Sequence, residues 1–212
     1  MSDIFKVKNI LMKPLIRIVV KHPQIMESKL FLKAMAVFPE KVSSTYDEKA
    51  EKSGINYQAA FLDGLSYVRN VPDKVLDICT GTGFAALLVA NKFNDAKIEA
   101  VDLSSEMIKI SKEKAKEANY SNLIFRTGNA MNLDYSDNEF DMVVTTNAPI
   151  YFAEAVRVLK PGGEILVAYS FGGEVFNNAK EDIIQLLKNN RLELEMFKSS
   201  EKGVFILGRK EK

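Results

Sequence analysis

Val75-Leu-Asp-Ile-Cys-Thr-Gly-Thr-Gly-Phe-Ala-Ala86 decides how the rest of the chain reads. A short apolar run, interrupted only by Asp77, ends at Cys79 and passes into a turn with glycines at 81 and 83. The Ala- and Leu-rich stretch from Phe84 to Phe93 follows. Apolar run, glycine turn and helical stretch in that order spell strand, turn and helix. Gly81 and Gly83 let the backbone turn tightly and approach a ligand with no Cβ in the way. The free N–H groups that open the helix then face the crevice at the carboxyl ends of the strands of an open α/β sheet.

Outward from this unit the alternation continues. Lys97–Asp102, Asn122–Thr127, Phe140–Thr145 and Gly163–Ser170 read as further strands. Ser105–Asn119 and Tyr151–Leu159 read as helices, the second stopped by Lys160-Pro-Gly-Gly163. Glu174–Asn190 reads as one more helix. Leu192–Phe197 and Val204–Leu207 then stand so close that they must pair antiparallel. The chain divides into residues 1–70, without a strand pattern, and residues 71–212, an α/β domain.

The turn itself admits two cofactors. Gly81, Gly83 and Ala86 fit G-x-G-x-x-A, the dinucleotide fingerprint, and Asp102 ends the second strand where a ribose-binding acid belongs. NAD(P) therefore has to be weighed against S-adenosylmethionine. Three features favour the latter. Asp77 puts a carboxylate at the end of the first strand, where a pyrophosphate would meet a like charge. Leu159-Lys-Pro-Gly-Gly163 stands directly before the fifth strand, and the chain closes in a hairpin instead of a sixth parallel strand.

Five segments carry a resemblance: Val75–Gly83, Val101-Asp-Leu-Ser-Ser-Glu-Met107, Gly128-Asn-Ala130, Asp137-Asn-Glu-Phe-Asp141 and Arg157-Val-Leu-Lys-Pro-Gly-Gly163. In this order and spacing they resemble the class I S-adenosylmethionine-dependent methyltransferases, nearest the branch of the ubiquinone/menaquinone-biosynthesis enzymes, over about residues 70–210. The resemblance implies a Rossmann-like, seven-stranded, mostly parallel sheet with an antiparallel last strand, under a helical N-terminal cap. It also implies S-adenosylmethionine as cofactor, S-adenosylhomocysteine as product, and methyl transfer to a small organic or lipid-like acceptor. By the same resemblance Asp77, Gly81 and Gly83 border the amino-acid part of the cofactor, and Asp102 accepts from both ribose hydroxyls. Met107 lies near the adenine, and Asn129 takes the place of an Asp that receives the adenine amino group. Cys79, Thr82, Leu103, Ala130 and Asn147 complete the set, with Tyr46 in Ser43–Glu48, which resembles a segment folded over the cofactor. Two plainer readings stay open: Asp102 as an anion at a helix start, and Met107 as helix core.

Methyl transfer needs alignment and exclusion of water more than a shared catalytic group. A base helps only where the acceptor must lose a proton. Candidates are His22, Tyr46, Tyr151 and Glu154, none of them compelling, so the catalytic residue is left unassigned. Asn147-Ala-Pro-Ile150 resembles the N-P-P-aromatic motif of amine-directed methyltransferases, but Ala148 and Ile150 break it, so amino-group methylation does not follow. The segment between Asp141 and Leu159 is short for this branch. It leaves one wall of the acceptor site open, to be covered by the N-terminal region or by the substrate itself. Two other functions stay open: an NAD(P)-binding oxidoreductase, and a protein that binds S-adenosylmethionine without turnover.

Composition narrows the setting. With 29 basic and 28 acidic residues in 212, the net charge of +1 gives no strong nucleic-acid signal. A single cysteine, Cys79, excludes an internal disulfide and suits a reducing cytoplasm. Neither a secretory leader nor a membrane span is expected, and no metal set stands out. Lys13, Arg17 and Lys21 recur every four residues in Leu11–His22. That helix is expected to pack on the domain; peripheral contact with an anionic membrane through residues 11–22 is the alternative. Oligomeric state is not legible.

Overall fold

The computed structural model describes residues 25, 28, 58–170, 172–200 and 203–212. The basic helix expected at 11–22, His22 and Tyr46 lie outside the described residues. In chain order the elements are α1 (Ala59–Ser66), β1 (Lys74–Ile78), α2 (Phe84–Lys92), β2 (Lys97–Asp102), α3 (Ser105–Glu117), β3 (Leu123–Thr127) and β4 (Phe140–Thr146). They continue with α4 (Phe152–Val158), β5 (Leu159–Tyr169), α5 (Gly173–Asn178), α6 (Lys180–Asn189), β6 (Leu192–Ser200) and β7 (Gly203–Lys210).

The strands form one seven-stranded sheet in the order β3-β2-β1-β4-β5-β7-β6. Neighbours from β3 to β5 are parallel, whereas β7 runs antiparallel to both β5 and β6. This is the α/β, Rossmann-like architecture expected from the sequence. The chain first winds outward from β1 to β3, then returns to lay β4 on the other side of β1. Strand order thus reverses between β1 and β4, where such sheets open a crevice at their carboxyl ends.

The central strands are apolar on both faces because both faces are covered. With a side-chain period of two, Val75, Met142, Val144, Leu166, Ala168, Phe205 and Leu207 point to one face. There they pack with Phe61 and Leu65 of α1, Ala85, Ala86 and Val89 of α2, and Ile108 of α3. Leu76, Ile78, Val143, Ile165, Val167, Val204 and Ile206 point to the other, against Ala155 of α4, Val175 and Phe176 of α5, and Ile183 and Leu187 of α6. α1 comes from the region expected to cap the site. Its Phe61 meets the Phe84 ring edge-on at 6.4 Å, one residue past Gly83, while Tyr67 beyond its end rests 5.5 Å from the Phe205 ring.

Two boundaries differ from the sequence reading. Lys160-Pro-Gly-Gly163 does not stand between a helix and a strand: α4 ends at Val158, and β5 already begins at Leu159. Leu159 pairs with Phe140 and Glu164 with Met142, so residues 160–163 bulge out of the ladder. Gly162 takes φ 76°, and a Cβ at Gly163 would stand 2.9 Å from the Asp141 carbonyl oxygen. The glycines serve a bulge, not a helix cap. The single helix expected over Glu174–Asn190 is two, broken at Ala179, whose φ of −102° leaves the helical range.

The closing hairpin is pinned by charge. Glu164, 2% exposed, faces Arg209 across the β5–β7 pair, and Arg209 donates to it at 3.0 Å. Arg209 also donates to the Gly162 carbonyl at 3.0 Å and to Glu195 at 2.7 Å. A buried carboxylate stripped of its cation is far costlier than the pair itself is stabilising. Arg209→Met should therefore cost about 3–5 kcal/mol in urea unfolding, with most of the loss recovered in the Glu164→Gln/Arg209→Met double variant. A loss below ~1 kcal/mol in the single variant would mean that apolar packing alone holds the hairpin.

Candidate functional site

The turn between β1 and α2 brings two carboxylates to one point. Three of its residues hold left-handed backbone: Cys79 at φ 57°, Gly81 at φ 55° and Gly83 at φ 86°. At Gly83 glycine is required twice over, because an added Cβ would also sit 2.8 Å from Ser111 Cβ and 3.0 Å from the Phe125 ring. At Gly81 an added Cβ would meet nothing within 4 Å, so the backbone there borders open space. Cys79 takes with a side chain a conformation that costs an L-residue ~1 kcal/mol. Burial pushes its thiol up to about 12, and the charges of Asp102 and Asp77 add to the shift, so it is a neutral wall residue.

Asp77 is fully buried beneath this turn. Its Oδ2 accepts from Thr80 Oγ1 at 2.5 Å and from the Ala86 N–H at 3.1 Å, in the first turn of α2. Its Oδ1 has no hydrogen-bond partner among the described residues. Burial raises this carboxyl to about 7 against those two hydrogen bonds, and the nearby Asp102 charge contributes in the same direction. Asp102, at the carboxyl end of β2, grips the turn from the side. Its Oδ2 accepts from the Gly81 N–H at 2.8 Å and its Oδ1 from the Ser104 N–H at 2.9 Å. Each oxygen keeps a second lone pair. Ser104, not Asp102, caps α3, accepting from the Met107 N–H at 3.3 Å.

The remaining predicted residues fall along the same edge. Leu103, 57% exposed, follows Asp102. Met107 is 8% exposed yet belongs to neither core cluster. The loop after β3 holds Asn129, exposed, and Ala130, buried. One lone pair of Asn129 Oδ1 is already used by the Met131 N–H at 3.0 Å. Thr82 is buried inside the turn. Asn147 stands across the switch point, just past β4. The described site residues all lie at the carboxyl edge of the sheet, with Asn147 following β4, the strand paired with β1.

Glu154 is not placed as a base. It accepts from Arg157 Nε at 2.7 Å and from the Leu133 N–H at 2.7 Å, and the Arg157 guanidinium holds its carboxyl below the usual carboxylate range. Arg157 also reaches Asp137 and the carbonyls of Leu133 and Tyr135. Asp141 accepts from the Lys74 N–H at 2.8 Å and from Lys160 Nζ at 2.5 Å. Two of the five quoted segments are therefore architectural, joining strand starts at the end of the sheet away from the crevice. The sequence reading missed Thr80, Tyr169 and Ser170. Only Thr80, three residues after Asp77, left a local signal.

Residues 75–163 match the model of a methyltransferase domain family. The demethylmenaquinone methyltransferase of Bacillus velezensis is 31% identical over 147 residues, covering 65% of this chain and 63% of that protein. That of Listeria welshimeri is 32% identical over 136 residues, covering 59% and 58%. The chain thus spans less than two thirds of these relatives' lengths. The crystal structure of a SAM dependent methyltransferase from Aquifex aeolicus shares the fold, with a TM-score of 0.61 and 17% identity over 81% of this chain and 97% of that one. The sheet has the fold of the class I methyltransferases, and residues 75–163 are similar to a methyltransferase domain. Both of these sequence relatives are demethylmenaquinone methyltransferases.

The buried Asp77 makes stability depend on pH. An unfolded chain releases this proton near pH 4, whereas the folded one holds it to about 7. Between those values the folded state binds the extra proton, so stability falls as pH rises and levels off above 7. The full swing is on the order of 4 kcal/mol. Asp77→Asn should flatten thermal stability between pH 5 and 7 and raise Tm at pH 8 in the absence of any ligand. An unchanged slope in the variant would assign the titration to another group.

Proposed function

We propose that this chain transfers the methyl group of S-adenosylmethionine to a small, quinone-like organic acceptor. One observation carries the reading: a glycine turn on open space, clamped between a fully buried carboxylate with a spare oxygen and a second carboxylate with spare lone pairs. The demethylmenaquinone methyltransferases among its relatives support the acceptor class.

The cofactor's parts fit this edge one by one. When ionised, Asp77 Oδ1 is an acceptor without a partner among the described residues, suited to an ammonium group or an ordered water. Gly81 and Gly83, with Cys79 and Thr82, give the amino-acid part a wall of backbone. Asp102 accepts from the ribose hydroxyls through its remaining lone pairs. Leu103 and Met107 flank the adenine, while Asn129 and Ala130 border its edge. When bound, the cofactor supplies an electrophilic methyl group on a sulfonium with a good leaving group. The chain's own residues then have to orient the acceptor at the crevice and keep water out. Residues 1–70, including Tyr46, are assigned to a helical cap over the site, and residues 71–212 to the transfer domain.

The G-x-G-x-x-A match still offers NAD(P), but a pyrophosphate would have to approach Asp77 and Asp102 together, at a cost in like-charge repulsion. No helix among the described residues is long and apolar enough to cross a membrane. We assign the chain to the cytoplasm, with any membrane contact made peripherally through residues 11–22.

Thermal unfolding with S-adenosylhomocysteine, NAD and NADP tests the cofactor. At 100 times its dissociation constant a ligand adds about 2.7 kcal/mol, roughly 5–10 °C here. The shift is expected with S-adenosylhomocysteine alone; a shift with NAD or NADP alone would reverse the assignment. Asp102→Ala should weaken S-adenosylhomocysteine binding by about 1–3 kcal/mol, read by calorimetry. Because the ammonium pairs only with ionised Asp77, affinity should rise as pH climbs from 6 to 8. An affinity independent of pH would remove Asp77 from the contact.

A further inference from the structure

The crevice has two banks. The glycine turn, Asp102 and the loop at 128–130 follow β1, β2 and β3, whereas the carboxyl ends of β4 and β5 lie beyond the switch point. Asn147 is the first residue on this second bank. Its backbone N–H donates to the Ala168 carbonyl at 2.9 Å, carrying the β4–β5 ladder one residue past the strand, and its backbone is left-handed at φ 54°. Its side-chain Oδ1 accepts from the Ser170 backbone N–H at 2.8 Å and from Ser170 Oγ at 3.0 Å.

These two bonds set the polarity of the amide. A backbone N–H is a donor under all conditions, so the atom facing it must be the oxygen; the swapped orientation would set N–H against N–H. With two donors on it, the oxygen is saturated. What remains is an NH2 group with two donors, on a half-buried side chain, and it has no partner among the described residues. Two polar side chains close by are engaged with other groups. Glu154 is held by Arg157 and the Leu133 N–H. The Tyr169 hydroxyl donates to the Ala148 carbonyl at 2.9 Å, its ring is stacked on Phe176 at 4.8 Å, and burial keeps the phenol above its usual range and therefore protonated. The Tyr169 proton is thus committed to Ala148, and a donor left on this bank is the Asn147 NH2.

We propose that Asn147 determines the acceptor's functional group: its amide nitrogen donates to an oxygen of the methyl acceptor, a phenol, enol or carbonyl oxygen, and disfavours an amine at that place. The proposal rests on the methyl-transfer reading above and adds to it the chemistry of the group recognised. It moves Asn147 from the cofactor's wall to the acceptor's. An amide N–H facing an oxygen stabilises the charge that gathers there when a hydroxyl loses its proton. The same N–H facing an aryl amine meets a nitrogen whose lone pair is delocalised into the ring and accepts poorly, and facing an ammonium it meets no acceptor at all. Ser170 is the positioning residue: without it the amide is free to rotate and offer its oxygen instead.

Two probes of one shape separate the cases. 1-Naphthol and 1-naphthylamine differ only in OH against NH2. Calorimetric titration of the full chain is run with each, with and without S-adenosylhomocysteine. The wild type is expected to bind the naphthol about tenfold more tightly than the amine. Asn147→Asp keeps an oxygen for Ser170 and puts a second oxygen where the NH2 stood. That variant should lose the preference or invert it, with S-adenosylhomocysteine affinity and Tm close to wild type. Equal binding of the probes by the wild type, binding of neither, or a preference that survives in Asn147→Asp overturns the proposal. A wild type that ignores S-adenosylhomocysteine while preferring the naphthol would instead count against the methyl-transfer reading alone.

Discussion

Everything at the candidate site hangs on one turn held from two sides by carboxylates. Asp77 grips it from below through Thr80 and the Ala86 N–H, and Asp102 grips it from the side through the Gly81 N–H. Three left-handed residues within five positions would not persist in a free peptide; the carboxylates over-determine that conformation. A fully buried acid with one oxygen unpartnered among the described residues lowers the stability of the fold at neutral pH, a penalty that a cationic ligand group would remove. The fold thus carries a local instability at the candidate site.

The two ends of the sheet do different work. At the amino ends of the strands, Lys74 meets Glu99 and Glu139, Asp141 ties β1 to Lys160, and Arg157 gathers Glu154, Asp137 and two carbonyls. These groups neutralise each other and leave few open valences. At the carboxyl ends, Asp77, Asp102 and Asn147 each retain unused hydrogen-bonding capacity. Saturated polar groups serve architecture, and unsaturated ones mark a surface built for a ligand. This contrast separates the quoted motifs into those that build the domain and those that furnish its site.

The glycine turn, the order of alternating elements and the closing hairpin were legible because each has a local cause: backbone freedom at Gly83, a two-residue period along the strands, a connection too short for a crossover. The bulge at Lys160–Gly163 was not legible. Lys-Pro-Gly-Gly reads locally as a helix stop, and only pairing of Leu159 with Phe140, nineteen positions back in the chain, makes it a loop within a strand. The break at Ala179 was hidden for a related reason, because alanine itself favours helix.

The candidate site divides along the same line. By itself the sequence determined which residues crowd around the turn, since Asp77, Gly81 and Gly83 are neighbours in the chain and Asp102 ends the next strand. Tertiary structure alone decided what each group has left to offer. Glu154 lost its reactivity to Arg157 and a distant N–H, and Asn147 acquired its fixed polarity from Ser170, twenty-three residues on. Hydrogen-bond valence is used up through space, by partners that chain order does not bring near.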